Sequence, residues 1–205
     1  MRPLAHALSV LLHPLWMPTV LVALGLWLDP HIRMGLLPQG LWILCGMVLV
    51  MTGLFPLTSV LLMQRSGLVS HLTLPGREER LPVYVLTLIY YGMAYWLLRR
   101  TLVHPALLGF FFGALVAVLA VLLINLRWKI SAHMTALGGV AGALLGMMAL
   151  HGVPAGALLV LVFVLLGALG SARLLVSDHS PAQVYAGALL GGACVYACGF
   201  WGITL

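Results

Sequence analysis

Charge is what this sequence has least of. Four acids and ten basic residues are spread over 205 positions, so 7% of the chain is charged against 63% that is hydrophobic. That balance excludes a soluble globule, because so little polar surface cannot cover so much apolar side chain. The acids, Asp29, Glu78, Glu79 and Asp178, are too few and too scattered for a two-metal carboxylate site, and no metal ligand or cofactor is assigned. Lys129 is the single lysine and no basic run exists. The net charge of +6 therefore suits anionic headgroups better than nucleic acid. Cysteine is scarce too: Cys45, Cys194 and Cys198 lie in apolar stretches, lack the partners of a metal site, and read as small core residues. No repeat or low-complexity linker divides the chain. No clear small-residue cleavage site ends the first hydrophobic stretch, which contains His13, Pro14 and Pro18, so that stretch is expected to be retained as a helix.

What the sequence does have is long apolar segments, at roughly 9–28, 40–63, 83–99, 105–126, 132–151, 154–176 and 181–204. They predict an all-α fold, a polytopic transmembrane helix bundle forming a single domain over 1–205. There are seven spans if every segment crosses, and six if the proline-containing first one lies flat. Gly142 with Gly146, and Gly187 with Gly191, are Gly-x-x-x-Gly pairs that let helix backbones approach closely, and packing is the role expected of them.

The polar residues that interrupt this pattern gather in three places. One is Ser171-Ala-Arg173, five residues, His179, three residues, Gln183, then a helix carrying Gly187 and Gly191. Another is Lys129-Ile-Ser131-Ala-His133 at the start of an apolar segment. The last is Arg77-Glu-Glu-Arg80-Leu-Pro82 in the longest polar break. Ionisable groups at a membrane boundary cost free energy unless paired or solvated, which makes them functional candidates. Counting spans places all three clusters on one membrane face, since an even number of crossings separates each from the next.

Together these residues resemble the signature of the type 2 phosphatidic acid phosphatase superfamily, which also includes the vanadium haloperoxidases. The Ser171–Gln183 cluster keeps that signature's Arg, five residues, His, three residues spacing, with Ala172 inserted after the serine and Gln183 where aspartate is usual. The second is similar to its Ser-Gly-His, with Ala132 replacing glycine. Arg80-Leu-Pro82 looks like a loosened Arg-Pro, with Arg77 in place of the lysine. The resemblance covers about 125–191 well and 73–82 thinly, and it implies a phosphatase-like core over about 73–191.

The resemblance implies a reaction as well. His179 is the nucleophile that attacks phosphorus, and His133 is the general acid that becomes the base for water. Arg173 and Arg80 clamp the phosphate, Arg77 and Lys129 assist, and Ser131 donates a hydrogen bond. Gln183 orients the His179 ring without supplying countercharge, which leaves a less basic ring or a compensating Asp178 or Glu79. Planar guanidinium forks suit phosphate oxygens, which is the physical reason for arginines here. The function expected is metal-independent hydrolysis of a lipid phosphate monoester or diphosphate: phosphatidate, phosphatidylglycerophosphate or a polyprenyl (di)phosphate. A lipid phosphotransferase and a non-catalytic lipid-phosphate binder or transporter are the alternatives. The partners expected are the lipid substrate and membrane lipids, and the location is a bacterial cytoplasmic membrane. Without the phosphate-binding cations, the basic residues divide evenly between the two faces, so the side of the site stays open.

Overall fold

A computed structural model describes residues 2–70, 77–176 and 179–204, with Arg77 described in its backbone alone. The fold is an all-helical membrane bundle. Its elements are α1 (Arg2–Leu11), α2 (Met17–Leu28), α3 (Pro30–Arg33), α4 (Pro38–Leu49), α5 (Phe55–Arg65), α6 (Arg77–Arg99), α7 (Pro105–Asn125), α8 (Ala132–His151), α9 (Gly156–Val176) and α10 (Pro181–Phe200). Helix ends follow local chemistry. Pro30, Pro38, Pro105 and Pro181 each stand at the first helical position, where the missing N–H is no loss. Gly152 ends α8 in the left-handed conformation, with φ 64°.

Among the described residues six helices are long and apolar enough to cross a membrane: Pro38–Arg65, Glu78–Arg99, Pro105–Asn125, Ala132–His151, Gly156–Val176 and Pro181–Phe200. The first of these is continuous through a π-helical turn, Val50–Leu54. That turn ends two residues before Pro56, which has no N–H to give the preceding turn, so the wider helical register absorbs the missing bond.

The N-terminal segment does not form the single helix expected over 9–28. It breaks between Leu11 and Met17, and α2 alone spans about 18 Å, well short of a bilayer core of about 30 Å. Yet the Ser9 carbonyl meets His133 at the start of α8, and Asp29 meets His151 at its end. The two short helices with their break therefore run the length of α8.

α8 and α10 hold the bundle together. A Cβ on Gly138 would overlap the Ala188 carbonyl, one on Gly142 the Gly192 carbonyl, and one on Gly191 the Thr135 carbonyl; on Gly187 it would sit 2.7 Å from the Ser131 oxygen. Packing is thus the role of Gly142, Gly187 and Gly191, as their spacing suggested. Gly146 differs: it faces the Phe110 ring, and Gly138 takes its place in the helix–helix seam. α10 is held on its other side by Gly109 and Gly113 of α7, which meet the carbonyls of Cys198 and Cys194.

Gly191→Ala should separate α8 from α10, with a loss of about 1–3 kcal/mol, because the added methyl meets backbone that cannot rotate away. Gly167→Ala, with open space around it, should be neutral or stabilising by up to about 1 kcal/mol. Thermal denaturation in detergent compares the two; equal effects would mean that the seam is looser than described.

Candidate functional site

The glycine seam ends at the start of both helices, and there the backbones are joined directly. The Ser131 N–H donates to the Gln183 carbonyl at 3.3 Å. This contact sets the Lys129–His133 cluster against the Ser171–Gln183 cluster, so that His133 and His179 lie within electrostatic reach of each other.

His179 sits in the short link before α10 and is buried. Its Nδ1 is 3.1 Å from Gln183 Oε1. The same oxygen accepts the Ser180 N–H at 3.0 Å, while Ser180 Oγ caps the Gln183 N–H in a reciprocal capping box. A backbone N–H can only donate, so the Gln183 atom it meets is the carbonyl oxygen. An oxygen can only accept, so Nδ1 of His179 carries the hydrogen and Nε2 keeps its lone pair. Burial pushes the ring's pKa down to about 4; the Gln183 hydrogen bond opposes this, and the positive charges of Arg173, Arg80 and Lys129 add to it. At neutral pH His179 is an uncharged ring with one nitrogen tethered and the other available.

The three cations come from three separate parts of the chain: Arg80 from α6, Lys129 from the link before α8, Arg173 from the last turn of α9. Arg80 is only 8% exposed, and its guanidinium hydrogen-bonds the phenol of Tyr84, one turn along α6. The sequence reading did not select Tyr84. Ser131 has no exposed surface, and its Oγ has no hydrogen-bond partner among the described residues. It stands at the cap position of α8 without capping it. Its carbonyl instead accepts both the N–H and the Oγ1 hydrogen of Thr135.

His133 is oriented by a residue that the sequence reading passed over. Its Nε2 lies 3.1 Å from the Ser9 carbonyl, so that nitrogen carries a hydrogen. His13 packs edge-on against its ring at 5.0 Å. Burial, with the nearby charge of Arg173, pushes the His13 pKa down to about 4. The signal for His13 was present, as an ionisable residue beside a proline inside an apolar run. Nothing in the sequence pointed to the start of α8 as its destination.

The other expectations for the site fare differently. Glu79 does not compensate for the neutral Gln183: its carboxylate accepts from the N–H and Oγ of Ser70, at 3.4 and 3.1 Å. One short polar residue in the adjoining loop, bonding through two of its groups, holds it there. Asp178, the stretch from Thr73 to Gly76, and the Arg77 side chain lie outside the described residues. The structure therefore brings together Arg80, Lys129, Ser131, His133, Arg173, His179 and Gln183, and adds Ser9, His13 and Tyr84.

Beside this cluster runs an apolar groove of about 640 Å³, open on one side. Leu12 and Trp16 line it on either side of His13, Leu137 continues it one turn beyond His133, and Leu24, Leu158 and Leu161 carry it toward the other end of the bundle.

No protein-family model, characterised protein or solved structure matches the chain.

Between pH 6.5 and about 4 the His179 ring is protonated in the unfolded chain but not in the folded one, so it opposes folding increasingly as pH falls through that window. A histidine-resolved NMR titration should place its midpoint near 4. Gln183→Glu keeps the side-chain length and adds the missing countercharge, and should raise that midpoint by about 1–3 units. An unshifted midpoint would mean that the side chain at 183 does not hold the ring.

Proposed function

We propose that this chain is an integral-membrane lipid phosphatase that hydrolyses a phosphate monoester or diphosphate of a lipid through a phosphohistidine. The observation that carries the reading is the convergence of Arg80, Lys129 and Arg173 on His179, whose Nε2 is left as the free base. The resemblance of these residues to the type 2 phosphatidic acid phosphatase signature points the same way. Positive charge and a buried hydroxyl suit the equatorial oxygens of a phosphoryl group, where negative charge concentrates during transfer.

In this reading the phosphate enters among the two arginines and Lys129, and Ser131 Oγ donates to one of its oxygens. Nε2 of His179 attacks phosphorus, the bond to the leaving oxygen breaks, and its electron pair goes to that oxygen, which takes a proton from Nδ1 of His133 in its imidazolium form, the Nε2–H staying on the Ser9 carbonyl. Water then attacks the phosphohistidine and gives its proton to His133. The P–N bond breaks and the electron pair returns to Nε2. A neutral Gln183 leaves the phosphorylated ring with no countercharge beside it. The ring is thus a weaker nucleophile than one paired with a carboxylate, and a better leaving group.

The groove supports a lipid as substrate. It runs from Leu12 and Trp16, on either side of His13, past Leu137 into the apolar body of the bundle, so a headgroup at the cations would have its tail beside Leu137 and Leu161. Phosphatidate, phosphatidylglycerophosphate and polyprenyl (di)phosphates all have this form. A bacterial cytoplasmic membrane is the proposed location.

Purified protein should release phosphate from at least one of these lipids in the presence of EDTA, and His179→Ala should abolish the release. His133→Ala should lower the rate by about 10²–10⁴-fold, the usual contribution of a positioned acid–base group. Release only when a lipid or sugar hydroxyl is supplied would identify a phosphotransferase. Binding without turnover, unchanged in His179→Ala, would identify a non-catalytic binder. Leu161, half exposed in the groove, gives a separate check. Leu161→Trp should raise KM for a long-chain lipid phosphate and leave a short-chain one unaffected; equal effects on both would remove the groove from the substrate path.

A further inference from the structure

The other end of α8 carries a second set of chemically able side chains, about 27 Å from the first by helix rise between His133 and His151. Asp29, fully buried, links α2 to α3; His31 lies in α3; His151 closes α8. Each offers one ligand atom, and these atoms all lie within 4.8 Å of one another. Counting carboxylates along the sequence assigned no metal ligand. Here one carboxylate is joined by two imidazoles from distant parts of the chain.

We propose that Asp29, His31 and His151 form a binding site for a divalent transition-metal ion. Asp29 Oδ1 is fixed by the N–H of His31 at 3.0 Å and of Ile32 at 3.5 Å, so the carboxylate is pre-oriented. Its Oδ2 meets His151 Nδ1 at 2.5 Å, and its Oδ1 lies 3.3 Å from His31 Nδ1. Two ring nitrogens thus converge on one carboxylate, with the rings 4.7 Å apart and tilted by 32°. A metal ion at this point would be held by both nitrogens and the carboxylate together. Two imidazoles and a carboxylate are a ligand set for zinc and its neighbours, with positions left for water. The His31 side chain is 56% exposed, which gives an ion its entry path.

His104 is near but is not a ligand. Its Nδ1 accepts the Ala106 N–H at 3.2 Å and caps α7, so its Nε2 carries the hydrogen. It packs edge-on against His151 at 5.4 Å. An ion here would pin the α2–α3 corner to the end of α8, and with it the segment that carries Ser9 and His13 to the opposite end.

Tag-free full-length protein in detergent, stripped by a chelator and dialysed, would be titrated with zinc by calorimetry and with cobalt(II) by visible absorption. One ion per chain is expected. His31→Ala removes an exposed ligand without touching the Asp29–His151 contact, and should weaken zinc by more than about 100-fold, above the range for an outer-shell partner. His104→Asn keeps the cap and should bind as the wild type does. Zinc uptake no greater than in His31→Ala, or uptake lost in His133→Ala and kept in His31→Ala, would overturn the assignment. Because binding is read without turnover, the outcome is independent of the phosphatase reading. Any effect of EDTA on activity that His31→Ala reproduces belongs to this end of α8.

Discussion

Backbone-to-backbone contact between α8 and α10 is the constraint on which the rest depends. Lipid offers no hydrophobic drive for two helices to associate, so close approach through small residues and the dispersion it permits must supply the attraction. Gly138, Gly142, Gly187 and Gly191 provide that approach, and each removes a Cβ that would strike a carbonyl. The consequence is chemical as much as structural. With the seam closed, Ser131 and Gln183 are near enough for a main-chain hydrogen bond, and His133 and His179 face one region. A helix pair spaced by leucines would stand farther apart and would lose that register.

Much of the fold was legible because membrane helices declare themselves by length and by their punctuation. The apolar segments expected from 105 and from 181 begin where the structure starts α7 and α10, at Pro105 and Pro181. The grouping of Arg80, Ser131, His133, Arg173 and His179 at one end followed from counting crossings, which needs no knowledge of packing. What stayed hidden depends on contacts between residues far apart in the chain. Ser9 and His133 are separated by 124 positions, and Asp29 and His151 by 122. Neither pairing has a local signature. Likewise, spacing gave the helical face of Gly146 but not its neighbour, since only tertiary structure brings Phe110 there.

The broken N-terminal segment explains why a single-helix reading failed in an informative way. Between Leu11 and Met17 the chain turns, and the break holds His13 against His133 while Trp16 packs on Gly53 of the π-helical turn. An uninterrupted helix could carry the same apolar surface but would keep the Ser9 carbonyl in its own hydrogen-bond ladder. Breaking the helix near Pro14 frees that carbonyl to accept from His133. The local sequence choice that weakens the helix is the one that lets it serve the site.

Electrostatics make Gln183 intelligible as more than a weakened aspartate. Arg80, Lys129 and Arg173 already bear on His179, and burial disfavours a charged ring further. In the proposed lipid-phosphatase reading, a carboxylate at 183 would compete with phosphate for the same cations, partly neutralising the field that an anionic headgroup would meet. A neutral carbonyl oxygen holds the ring's tautomer through one hydrogen bond and leaves that field intact. In the proposed reading the ring then owes its reactivity to position and to an unprotonated Nε2 instead of to high basicity. In a buried site this is the less demanding arrangement, because orientation is retained without adding another charge to be desolvated.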